Sequence, residues 1–130
     1  MTPKTLPGTV TAVAQEHANA IVSQLGDITA VVIATVDGFD LASSLRREID
    51  AARIAALASS ISAIGEVVSA EASLGAARCT TIETDGGFAV THRVRRPDVA
   101  LVINVLAGPD AVLAQVKYRA ASAALALEQA

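Results

Sequence analysis

The chain has 130 residues, of which 52% are hydrophobic, 18% charged and only 2% aromatic, and ten Lys and Arg against thirteen Asp and Glu leave a net charge of −3. This composition excludes disorder over most of the length, and the lack of concentrated positive charge argues against nucleic-acid binding. A single cysteine, Cys79, excludes both an internal disulfide framework and a cysteine-rich zinc site, and two histidines leave little metal chemistry.

Residues 1–8 contain two prolines and read as a flexible tail ahead of a domain spanning 9–130. They carry no apolar core of the kind a secretory signal needs. The longest apolar run, Val99 to Ala107, is interrupted by Asn104 and is too short to span a bilayer. A cytoplasmic protein without membrane insertion is expected.

A helical pattern follows from Thr9 to Leu25, with Val10, Ala14, Ala18, Ile21 and Leu25 at three- and four-residue steps and Gly26 placed for a left-handed terminus. Ile28 to Thr35 is apolar and rich in β-branched residues, a buried strand. Asp37-Gly38 then turns the chain into a short partner, Leu41 to Leu45. Asp50 is suited to cap a second helix, Ala51 to Leu74, which Gly75 ends. Three strands are expected at Arg78 to Thr84, Phe88 to Val94 and Val99 to Leu106, joined by Asp85-Gly86-Gly87 and by Arg95-Arg96-Pro97-Asp98. Gly108-Pro109-Asp110 opens a last helix that runs to Glu128, with the proline in its first turn.

Both faces of Val99 to Leu106 are mostly apolar, which places helices on both sides of the sheet. Arg78 to Thr84 is β-prone yet polar and suits an edge, where an unprotected strand invites pairing with another chain. The middle helix carries two stripes. Ile54, Leu57, Ile61, Ile64 and Val68 read as its core face. Ala55, Ala58 or Ser59, Ser62, Gly65 and Ser69 read either as a small-residue surface or as a close contact with a second helix.

No phosphate-binding loop, zinc-protease motif, nucleophile elbow or paired-cysteine motif occurs, so no catalytic residue, cofactor or metal is expected. Asp37 and Asp40 read as turn residues, and His17 and His92 as partly buried or surface residues. Arg93, Arg95 and Arg96 form the only concentrated charge. They read as a basic knob at a hairpin tip, kept for solubility or used to dock an acidic surface or phosphate.

Four passages resemble the roadblock/dynein light chain family: Ala30 to Ser44 with its Asp-Gly turn, Arg53 to Ser60, Ile82 to Phe88, and Gly108 to Tyr118. The resemblance covers Thr11 to Leu127. It implies a profilin-like α/β sandwich of order αββαβββα. A five-stranded antiparallel sheet would carry the middle helix on one face and the two terminal helices on the other. It also implies a homodimer in which third strands pair across a twofold axis and middle helices lie side by side, with Ala55, Ala58, Ser62, Gly65, Ser69, Cys79 and Thr81 at the contact. On that arrangement Cys79 would lie close to its mate. Members of the family are non-enzymatic and bind Ras-like small GTPases, scaffold signalling complexes or serve as dynein light chains. The bacterial branch includes partners of Mgl-type polarity GTPases. A GTPase regulator, a scaffold without a GTPase and a small-molecule sensor are the three resulting readings; the scarcity of aromatic lining argues against the last.

Overall fold

The computed structural model describes residues 6–130, so the first five residues of the expected tail lie outside the described residues. The order is α1 (Gly8–Gln24), β1 (Ile28–Thr35), β2 (Asp40–Leu45), α2 (Ala51–Glu71), β3 (Cys79–Thr84), β4 (Gly87–Val94), β5 (Leu101–Ala107) and α3 (Leu113–Gln129). The five strands form one antiparallel sheet in the order β2-β1-β5-β4-β3. This is the αββαβββα sandwich expected from the sequence.

Strand alternation divides the core in two. Val31, Ile33, Val90, Val94, Leu101, Ile103 and Val105 face α1 and α3, whose Val10, Ala14, Ile21, Val116, Ala120 and Leu127 complete the larger cluster. On the other face Val32, Ala34 and Val102 meet Ala55 and Ala58 of α2. The second layer is thin, because α2 offers it only small side chains.

The helix ends and turns show why some boundaries differ from the sequence reading. Asp50 caps α2 as expected, its carboxylate accepting the Arg53 N–H at 3.2 Å. Gly38 takes φ +97° in the β1–β2 turn. Gly26 does not take the left-handed position after α1; Asp27 does, at φ +60°. Asp27 then ties two loops together. Its backbone carbonyl accepts the Gly108 N–H at 2.9 Å, and its carboxylate accepts the Asp110 N–H at 2.9 Å. A side chain at position 108 would run into that carboxylate, which accounts for the glycine. Gly108-Pro109-Asp110 is therefore held by the α1–β1 loop instead of opening the last helix, and α3 begins only at Leu113.

Candidate interaction surface

Helix α2 turns its larger side chains outward. Ala55 and Ala58 are fully buried against the sheet and Ser62 nearly so, whereas Leu57, Ile64, Val67, Val68 and Leu74 are each more than half exposed, Ile64 at 63%. Ala55, Ala58 and Ser62 of the small-residue stripe placed at a subunit contact therefore pack within the chain, while of the aliphatic stripe read as core Ile54 packs against the inner cluster and Leu57, Ile64 and Val68 face solvent. At Gly65, which is half-buried, a Cβ would stand 3.1 Å from the Thr80 hydroxyl, so the glycine lets α2 cross β3 closely. Ser69 is half-buried and lines the groove between α2 and β3. Ile54 and Ile61 are intermediate.

Polar groups pin this thin layer. The Ser59 hydroxyl donates to the Val36 carbonyl. Arg93 rises from β4, donates to the Ser62 hydroxyl at 3.2 Å and pairs with Glu66 at 2.9 Å. Beneath α2 the Thr91 hydroxyl donates to the Asn104 side-chain oxygen at 2.8 Å, both residues buried. By length and composition α2 is the one helix among the described residues apolar enough to cross a membrane. Its seat on the sheet explains that character differently: it is apolar on its inner face for packing and on its outer face for something else.

The apolar outer face adjoins an open sheet edge. At the opposite edge, the Gln15 side chain of α1 donates to the Ser43 carbonyl of β2 at 2.7 Å. Strand β3 pairs only with β4. The Arg93 N–H donates to the Arg78 carbonyl at 2.9 Å, so Arg78 and, by alternation, Thr80, Ile82 and Thr84 turn their backbone groups towards β4. Cys79, Thr81 and Glu83 turn theirs to the open edge. Their side chains lie on the α3 side of the sheet, where Cys79 and Thr81 share a groove with His92 and Lys117. Burial pushes the Cys79 thiol up, against the opposing effects of the Lys117 charge and a hydrogen bond with Thr81, so it is not an activated nucleophile. His92 is buried, its Nδ1 2.8 Å from the Arg93 carbonyl oxygen. Among the described residues no group of three or more His, Cys, Asp or Glu side chains could hold a metal ion.

The basic knob does not form. Arg93 is committed to α2, and only Arg95 projects freely. Arg96 grips both carboxylate oxygens of Asp98, at 2.9 and 2.8 Å, and also donates to the carbonyls of Leu127 and Ala130 at the end of α3. That helix has no basic residue in its last turn, so Arg96 supplies the missing positive partner from a neighbouring loop. Arg46 does the same for α1 by donating to the Val22 carbonyl. The hydrogen bonds from Arg96, aided by the Val99 N–H, hold the Asp98 carboxyl down from 3.8 to about 2. A depressed folded-state pKa means stability that is present above the ordinary carboxylate range and is lost as pH falls through about 2. Asp98→Asn should therefore lower stability at neutral pH, and its deficit should shrink between pH 4 and pH 2, read by denaturant titration at each pH.

No protein-family profile matches the chain, and no curated protein matches it. Solved structures do. It resembles the roadblock/LC7 domain from Streptomyces avermitilis with a TM-score of 0.79 at 21% identity, over 88% of this chain and 94% of that one. The gliding protein MglB from Thermus thermophilus gives 0.84 at 15% identity, over 99% of this chain and 96% of that one. An MglB with a tetrameric arrangement gives 0.81 at 20% identity, over the same shares of the two chains. The likeness establishes the fold as that of roadblock domains.

Proposed function

We propose that the chain is a homodimeric, non-catalytic adaptor of roadblock type that docks a Ras-like small GTPase. One observation carries the self-association: the exposed aliphatic face of α2 lies beside the open edge of β3. An isolated soluble chain has no use for either feature, and each is an aggregation hazard when left uncovered. A second copy covers both at once. An interface of that kind should bury more than ~1,000 Å² in total. The likeness to MglB structures, one of them in a tetrameric arrangement, supports association between copies. The GTPase partner rests on the family resemblance together with this fold.

The test is a mass measurement by light scattering at micromolar concentration, followed by titration with a Ras-like small GTPase loaded with GDP or with a non-hydrolysable GTP analogue. A dimer that binds either form supports the reading. A dimer that binds neither transfers it to a scaffold without a GTPase. A monomer overturns the self-association on which both depend.

A further inference from the structure

We propose that the chain binds a free α-amino acid with an apolar side chain, in a cavity on the α2 side of the sheet that α2 leaves uncovered. The site goes beyond the adaptor reading and does not rest on it.

One helix cannot cover five strands. Helix α2 packs on Val32, Ala34 and Val102 and crosses β3 at Thr80, so the next row along the sheet lies outside its cover. That row runs through Leu106, Ala89 and Ile82, cross-strand partners on one face of β5, β4 and β3. Leu106 and Ala89 are half-buried and Ile82 is 43% exposed. The three floor a cavity of about 390 Å³, within the roughly 300–1,000 Å³ of small-molecule sites. Across three strands the apolar trough is about 10 Å long.

The charged lining of the cavity comes from the β1–β2 side of the sheet. Arg47 follows β2, and the preceding Arg46 N–H donates to the Thr29 carbonyl at 3.0 Å, which sets this stretch beside the start of β1. Asp27 stands just ahead of β1. Its Oδ2 accepts the Asp110 N–H at 2.9 Å, and among the described residues its Oδ1 has no hydrogen-bond partner. Arg47 and Asp27 both line the cavity, yet among the described residues no ion pair joins them and Arg47 has none elsewhere. The β1–β5 register shifts between Ile28 and Ala30, and Thr29 in that irregularity adds a hydroxyl to the lining.

Two opposite charges open to one cavity and unpaired with each other suit a ligand that carries both. The Arg47 guanidinium takes an α-carboxylate, Asp27 takes an α-ammonium group, and an apolar side chain follows the trough. A fatty acid would leave the Asp27 carboxylate without a partner, and a phosphate ester would set like charges together. The length of the trough suits leucine or phenylalanine better than alanine.

Calorimetric titration of the intact chain with L-leucine and L-phenylalanine tests this. Saturable binding of one molecule per chain is expected. Isocaproate, which is leucine without its ammonium group, and isoamylamine, which lacks the carboxylate, should each bind at least about tenfold more weakly. Arg47 is exposed and unpaired, so Arg47→Gln should weaken leucine binding at least about tenfold while the ligand-free melting temperature stays unchanged. No binding of either amino acid up to about 10 mM would overturn the site. So would an Arg47→Gln protein that binds leucine like the parent, or isocaproate bound as tightly as leucine. The adaptor reading would survive each of these results.

Discussion

Val68→Arg is expected to convert the proposed dimer into a monomer, raising its dissociation constant at least about 100-fold, equivalent to about 2.7 kcal/mol. The side chain is 56% exposed within one chain, so a guanidinium there has solvent to enter and the fold is kept. In the proposed dimer a twofold axis would bring two new charges together in a region that has lost its water, where unpaired charge is most costly. Analytical ultracentrifugation reads the mass, and an unchanged melting curve at dilution checks the fold. Ser62→Arg, the substitution the small-residue stripe would suggest, does something else. Ser62 is buried under α2 and receives a hydrogen bond from Arg93, so an arginine there would lift the helix from the sheet.

Gly87→Ala is expected to destabilise the chain by about 3 kcal/mol, measured by urea unfolding. Gly87 takes φ +142° at the start of β4, and a Cβ there would run into the Ala107 carbonyl of β5. Strain and collision act together, and the obstacle is backbone in the adjoining strand, which cannot move aside without breaking the Phe88–Ala107 pairing. Gly86, one residue earlier, has open space at the same point, so Gly86→Ala should cost little and serves as the control.

Element order, strand pairing of the hairpins and the edge position of β3 were legible because they depend on local signals: alternation, turn dipeptides and caps. The orientation of α2 was not. Its helical period marks two stripes, Ile54-Leu57-Ile61-Ile64-Val68 and Ala55-Ala58-Ser62-Gly65, and hydrophobicity alone assigns the heavier one to the core. What decides is the distance between helix and sheet. Ala55 and Ala58 let α2 sit close on Val32, Ala34 and Val102, and Gly65 lets it pass over Thr80. Partners distant in sequence explain the other misreadings. Arg96 reads as a turn charge until the end of α3 is seen to lie beside it, and Pro109 reads as a helix opener until Asp27 claims the N–H of Asp110. Lys117 had no visible role from sequence, since only the packing of α3 over β4 brings it to the Cys79 side of the sheet.

The middle of the sheet joins the first strand to the last. β1 lies between β2 and β5, with Thr35 opposite Leu101 and Ile28 opposite Ala107, so its second flank is missing until the last strand of the sheet has been made. The β1–β2 hairpin and α2 emerge from the ribosome long before β5, and two strands with a helix laid across them by alanines bury too little to stand alone. Folding must wait for loop closure across most of the sequence, which favours a slow, high-contact-order reaction over one that builds up strand by strand. Once β5 enters, it supplies ladder bonds to β1 and β4 and side chains to both apolar layers in the same step. The domain therefore forms in an all-or-none closure in which β5 acts as the keystone.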